Sequence, residues 1–137
     1  MASGFPFSPY LGFDPSNTGT QASVRPDQLR DGNLPSGQRS PDHWFDVDAF
    51  AAPTGFAFGN AGRNVLTGPG QNVFDWSLRK QFGLTETQHL EFRAEVFNVS
   101  NTPPLGQPNG VVGNPAFGSV TSAFDPRVFE FAVKLHF

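Results

Sequence analysis

The last ten residues, Val128-Phe-Glu-Phe-Ala-Val-Lys-Leu-His-Phe137, constrain the fold most tightly. Phe129, Phe131, Val133, Leu135 and Phe137 occupy every second position, and Val128, Glu130, Ala132, Lys134 and His136 fill the gaps. Successive side chains on a β-strand point to opposite faces, so this segment is one strand with a fully apolar face and a mostly polar one. The apolar series runs to the final residue, which is aromatic. A soluble strand rarely ends that way. A transmembrane barrel strand does, because it needs about 9–11 residues, outward-apolar and inward-polar, with aromatics at the membrane edge.

Two further segments share the pattern. Over 73–84, Phe74, Trp76, Leu78 and Phe82 fall on one face, and Asp75, Ser77, Arg79 and Gln81 on the other. Over 89–99, Leu90, Phe92, Ala94 and Val96 take the apolar face, and His89, Glu91, Arg93 and Glu95 the polar one. The short polar link Thr85-Glu-Thr-Gln88 makes the two a hairpin. The expected fold is all-β: an antiparallel meander forming the C-terminal strands of a transmembrane β-barrel, with strands at about 73–84, 89–99 and 128–137 and long irregular loops. The lipid-facing set is Phe74, Trp76, Leu78, Phe82, Leu90, Phe92, Ala94 and Val96. The lumen-facing set is Asp75, Arg79, Glu91, Arg93 and Glu95. The register between strands is not legible from the pattern.

Composition fits. Hydrophobic residues make up 37% of the 137, and no run of about 18 apolar residues offers a membrane helix. Barrel strands hide their hydrophobicity in alternation. The 15 Gly and 13 Pro concentrate outside the alternating segments and signal turns and loops. Sixteen Phe against one Tyr point to a large apolar surface. Cys is absent, which excludes disulfides and thiolate metal sites. A net charge of −3 without a basic cluster speaks against nucleic-acid binding. The start, Met1-Ala-Ser-Gly-Phe-Pro, has neither a charged nor an apolar signal-peptide region, so either an export signal lies upstream or the membrane reading fails.

Residues 1–72 read as a loop-rich extracellular segment with short strands or turns: an edge strand near Phe5–Phe13, a short helical turn capped by Ser40, a strand at Gly55–Gly59, and tight turns between Gly59 and Gly70. With the terminal strand running inward, the turn at 85–88 becomes periplasmic, and 100–127 and 1–72 become outer loops, in keeping with the loop asymmetry of bacterial barrels. Residues 117–124 extend the terminal strand upward. Lys80 interrupts its apolar face near the periplasmic edge, where it can snorkel to headgroups. Phe82 and Phe137 belong to the inner aromatic girdle and Phe74 lies near the outer one.

An ordered set of short motifs resembles a family. Trp44-Phe45, Ala49-Phe-Ala51, Gly59-Asn-Ala-Gly-Arg-Asn64, Gly68-Pro-Gly70, Asp75-Trp-Ser-Leu-Arg-Lys80, Glu91-Phe-Arg-Ala-Glu-Val-Phe-Asn98, Phe117-Gly and Asp125-Pro-Arg127 are similar to the C-terminal end of Oar-like TonB-dependent receptors, large outer-membrane barrels often carrying a carboxypeptidase-regulatory-like domain. The resemblance covers roughly residues 25–137. It implies localisation in the cell outer membrane and energised transport of a bulky solute, to which this segment contributes barrel closure, outer loops and an assembly signal. Its partners would be the rest of the barrel, the plug, outer-membrane lipid and the barrel assembly machinery, with no nucleic acid. The plug, the TonB box and most strands are expected upstream. The terminal series Phe129, Phe131, Val133, Leu135 and Phe137 resembles the signal that machinery reads by strand addition.

Other chemistry is weaker. Glu91 and Glu95 share a face, but nothing marks a catalytic pocket, and no nucleophile elbow accompanies the Ser, His and Asp present, so no enzyme is expected. Asp42-His-Trp-Phe-Asp-Val-Asp48 lacks the ligand spacing and central Gly of a calcium loop and reads as a turn. The glycines at 59–70 match no phosphate cradle. Asn98-Val-Ser100 fits a glycosylation acceptor by spacing alone. No cofactor is expected. The rival to the barrel is a soluble all-β module gripping carbohydrate or protein with its aromatic loops, its strands covering a private core. Such a module would express without detergent as a cooperative monomer. Three strands alone leave unpaired edges and form no closed pore.

Overall fold

A computed structural model describes residues 3–19 and 24–137. Among them the strands are β1 (Pro6–Phe7), β2 (Tyr10–Leu11), β3 (Asp27–Gln28), β4 (Phe50–Ala51), β5 (Leu66–Thr67), β6 (Trp76–Gly83), β7 (His89–Phe97), β8 (Val111–Val112) and β9 (Val128–His136). Two 3-10 turns, Ser36–Gln38 and Val47–Ala49, complete the regular structure. The chain is all-β, and it divides into two units. One holds Asn72–Pro104 with Phe124–Phe137; the other holds the residues up to Gln71 with Leu105–Ala123.

The first unit is a three-stranded antiparallel meander in the order β6-β7-β9. Its register sets like against like across all three strands: Trp76 with Val96 and Phe129, Leu78 with Ala94 and Phe131, Phe82 with Leu90 and Leu135. A slip of one residue would send every apolar side chain to the other face, so the amphipathic pattern itself holds this alignment. The β6–β7 turn is closed by Leu84 and Thr85 N–H groups donating to the Gln88 carbonyl at 2.9 and 3.3 Å, and by Gln88 N–H donating to Thr85 Oγ1 at 3.1 Å. The sheet does not close on itself: β6 and β9 each have one edge without a strand partner among the described residues.

The strands stop short of the alternating pattern for local reasons. β6 begins at Trp76, and the Asp75 carboxylate just before it accepts the Asn98 N–H at 2.9 Å. β7 ends at Phe97 because Asn98 adopts φ +51°. Residues 117–124 add no length to β9; the chain there turns and makes a single bridge, Ala123 to Leu105.

The second unit is built from pairs of two-residue strands: β1 with β5 and β3 with β4 antiparallel, β2 with β8 parallel. Phe45, Ala49, Phe50 and Leu66 are its buried centre, with Phe7, Trp44, Val47, Val65, Val112 and Phe117 packed round them. Phe45 takes Phe7, Phe50 and Phe117 edge-on, at centroid distances of 5.9, 6.1 and 5.1 Å. Such edge-to-face pairs add about 0.5–1.5 kcal/mol each beyond area burial. The segments read as loop thus share a core.

Several local expectations are revised. The expected edge strand at 5–13 is two short strands, β1 and β2. Residues 40–43 are a tight turn closed by reciprocal Ser40–His43 backbone bonds of 3.1 Å, not a helical turn. Ser40 Oγ does accept from His43 N–H at 3.1 Å, so the hydroxyl caps a turn of a different kind. A 3-10 turn follows at Val47–Ala49, capped by the Asp46 side chain. Residues 55–59 form no strand and leave Phe56 and Phe58 exposed. Gly59 is needed where it stands, since a β-carbon there would collide with the Arg25 and Pro26 carbonyls. Gly118 has φ +86°, and its missing β-carbon would lie 2.5 Å from a Val47 methyl.

Candidate functional site: an apolar sheet face and a polar ladder

The three-stranded sheet presents two faces of opposite chemistry. Trp76, Leu78 and Phe82 from β6, Leu90, Phe92, Ala94 and Val96 from β7, and Phe129, Phe131, Val133 and Leu135 from β9 share one of them. Its outer strands are bare: Phe131 is 69% and Val133 66% exposed, and Trp76 and Phe129 are more than half exposed. Only the central strand is sheltered, by its two neighbours; Ala94 is buried and Phe92 half-buried. Phe92 and Phe131 stack at 6.5 Å, whereas Phe74, which precedes β6, is 54% exposed. Phe74, Phe92 and Phe131 therefore do not meet in a dry interior. Phe137 lies beyond the end of β9 and is 94% exposed. Contiguous apolar exposure of this kind marks a surface meant to be covered by something other than water.

Lys80 is the one charge on this face, level with Phe92 and Val133. Its ammonium lies 5.4 Å from the Phe82 ring centroid. The aliphatic stem follows the apolar surface while the charge leans toward the turn end of the strand.

The polar face is organised round Glu91. Its carboxylate is almost wholly buried, with 8% of the side chain exposed. Oε2 accepts from Arg79 Nη2 at 2.6 Å and from Gln81 Nε2 at 3.2 Å, both on β6. On the other side His136 Nε2 from β9 comes within 3.8 Å. Arg93 Nη1 and Glu95 Oε1 approach to 4.0 Å. The register also opposes like charges, Arg79 to Arg93 and Glu95 to Glu130, while Lys134 stands opposite Glu91. Asp75 lies before β6 and serves as the acceptor for Asn98 described above.

Asn98, which spacing offered as a glycosylation acceptor, is 4% exposed. Its Nδ2 donates to the Asp125 carbonyl at 3.2 Å, and its Oδ1 accepts from Ser100 Oγ and Thr102 N–H, both at 3.2 Å. Asn101 Oδ1 accepts the Arg127 N–H at 3.2 Å. Two separate motifs, the one ending in Asn98 and Asp125-Pro-Arg127, thus tie the end of β7 to the approach to β9. Neither motif carries in its sequence a signal of contact with the other.

In the second unit the acidic segment at 42–48 serves structure. Asp46 accepts from Arg30 Nε at 2.7 Å and from Asp48 N–H at 3.1 Å. Trp44 Nε1 donates to the Thr67 carbonyl at 3.0 Å, and Phe45 is the core. Asn33, unremarked in the sequence, works as a strand surrogate: Nδ2 donates to Val65 O at 2.7 Å and Oδ1 accepts from Thr67 N–H at 3.1 Å. Asn60 Oδ1 accepts the Gln28 N–H at 2.7 Å, and Asp27 Oδ1 accepts the Asn60 N–H at 3.1 Å. Asp14 is held below the ordinary carboxylate range, chiefly by the Ser16 hydroxyl at 2.7 Å and further by the N–H of Gly19. Asp31 is lowered by the backbone N–H and then the side-chain amide of Asn33.

Comparison with known proteins adds one finding. The family described as Outer membrane beta barrel domain matches residues 1–130. No curated protein and no solved structure matches the chain.

Proposed function

The chain belongs to the outer membrane beta barrel domain family, and on that premise we propose that it is the C-terminal part of an Oar-like TonB-dependent receptor, supplying wall strands, outer loops and an assembly signal. One observation carries this reading: the whole apolar face of β6, β7 and β9 is in register, and its outer strands lie bare while the loops keep a core of their own. Lipid is the cover such a face fits. Buried against hydrocarbon, each large side chain contributes on the order of 1.5–3 kcal/mol.

Connectivity supports the orientation. At one end of the strands the only link is the turn at 85–88. At the other, residues 1–75 lead into β6 and residues 98–127 join β7 to β9. Short inner turns and long outer loops are the habit of bacterial barrels. The Glu91 ladder then faces the lumen, and the series from Phe129 to Phe137 is what the assembly machinery reads. The receptor assignment draws on the ordered motifs, and the energised transport of a bulky solute follows from it. A recess of about 480 Å³ lies beside Phe7, Tyr10, Gln107 and Asn109, without a charged residue in its lining.

The test uses the chain's own fluorophores. With Trp44 replaced by Phe, Trp76 reports alone. Reconstituted in vesicles, Trp76 is expected to be quenched by dibrominated acyl chains and shielded from aqueous iodide. Quenching by iodide without quenching by bromolipid would remove the barrel reading and favour the soluble module. The receptor assignment has a separate test: a continuous upstream reading frame is expected to encode an export signal, a plug, a TonB box and further amphipathic strands.

A further inference from the structure

We propose that the recess in the second unit binds a small neutral saccharide, with Tyr10 as the ring it stacks on and Gln107 and Asn109 as its hydrogen-bonding partners. The recess holds about 480 Å³, within the roughly 300–1,000 Å³ of small-molecule sites. Two segments build it, 6–10 and 107–111. They are joined by the parallel pairing of Tyr10 with Val111 and by the Tyr10 N–H, which donates to Gly110 O at 2.9 Å. A β-carbon on Gly110 would lie 3.4 Å from Ser8 O and 3.5 Å from the Phe7 ring, so the two segments touch. Pro6 and Pro108, one in each segment, restrict the backbone of both walls. Phe7 is anchored edge-on against Phe45. The unit's own contacts thus hold the walls in place before any ligand arrives.

The lining selects the class of ligand. It carries no charged residue, so an anion or a metal ion would find no counter-charge there. It is not apolar either. Among the described residues the Gln107 amide makes no hydrogen bond. Asn109 commits only its Oδ1, to the Val111 N–H at 2.9 Å, and its Nδ2 has no acceptor among those residues. The Tyr10 hydroxyl is likewise unpartnered among them, and Tyr10 is 41% exposed. A wholly apolar ligand would cover these groups and leave them unsatisfied. Side-chain amides both donate and accept, and so do sugar hydroxyls. A sugar ring offers an apolar C–H face to Tyr10 and a rim of hydroxyls to the amides.

The inference goes beyond the receptor reading and does not rest on it. Every lining residue lies in the second unit, whatever covers the sheet. Iodide quenching of Trp76 would leave the recess as it is.

Saturation-transfer NMR on the full chain tests the proposal, in micelles of a phosphocholine detergent, which carries no sugar. Maltose, cellobiose and lactose are the probes, with gluconate and indole as charged and apolar counterparts. Saturation is expected to pass to at least one disaccharide. Tyr10→Ala should abolish that transfer, and Tyr10→Phe, which keeps the ring, should weaken it less. Gln107→Leu should raise the dissociation constant about fivefold, as the loss of a hydrogen bond does. Unchanged Trp44 emission shows that a variant keeps the fold of the second unit. No transfer to any of the three disaccharides, or transfer that survives both Tyr10→Ala and Gln107→Leu unchanged, would overturn the proposal. Preferential transfer to gluconate or indole would overturn it as well.

Discussion

Asn98 sits at φ +51° with its amide buried and hydrogen-bonded at both ends. Asn tolerates the left-handed region better than other residues with a β-carbon, and here its side chain also ties two segments that the sequence separates widely. Asn98→Ala is expected to cost about 2–3 kcal/mol, combining left-handed strain with an unsatisfied Asp125 carbonyl, as read from urea unfolding in detergent. Asn98→Gly removes the left-handed strain and should cost less. Two other single residues set a pH dependence. Asp14 and Asp31 are held below their usual range by hydrogen bonds from Ser16 and from Asn33. A carboxyl whose folded value lies below its unfolded one contributes stability above the unfolded value, near 3.8, and loses it as pH falls through the folded value. The second unit should therefore keep its Trp44 emission down to about pH 4 and weaken below it. Asp14→Asn and Asp31→Asn together should flatten that acid limb; an unchanged limb would mean that other groups govern it.

At the scale of strands, Lys80 measures depth. It stands three positions before the end of β6, which at about 3.3 Å per residue and a tilt near 45° leaves it some 7 Å from the turn end. A lysine there can reach headgroups, so Lys80→Leu is expected to stabilise the vesicle-inserted chain by no more than about 1 kcal/mol. A gain of about 2–4 kcal/mol would put the residue at mid-membrane and refute the proposed topology. The three long strands were legible because alternation acts at every second residue and needs no partner to be seen. The register was not, since it depends on which polar side chains meet across strands; Glu91 with Arg79 and Gln81 emerges only once the strands are aligned. The loops were less legible still. Phe7, Phe45, Phe50 and Phe117 come from four places in the chain, and none belongs to a periodic run. Their nearest sequence signals are Trp44-Phe45, Ala49-Phe-Ala51 and Phe117-Gly, which resemble family motifs but do not show which rings meet. Phe45, at 1% exposure, holds this core together. Phe45→Ala should cost about 3–5 kcal/mol in the second unit, read from loss of amide protection at Trp44 and Asp46.

Over the whole molecule, the two units answer to different solvents. The second buries its aromatic centre and satisfies its irregular backbone with Asn33, Asn60 and Asp46. The first has no interior to offer: its apolar side chains lie on one face of a single sheet, and two edges lack a strand partner among the described residues. Hydrophobic burial drives folding, so the first unit gains its main stabilisation only when something apolar covers that face, while the second gains it in water. Hydrogen exchange on the intact chain separates the two. In vesicles, amides of β7, flanked on both sides, should be strongly protected. On transfer to detergent-free buffer they should exchange fast or the chain should aggregate through the bare face. Across the same transfer the Trp44 N–H, donating to Gly118 O at 2.9 Å, and the Asp46 N–H, donating to Gly32 O at 2.9 Å, should keep protection wherever the chain stays dispersed. Equal protection of β7 in both media would mean that the sheet is stable without a lipid cover, and the chain would then have to be read as a soluble β module whose exposed face awaits a protein.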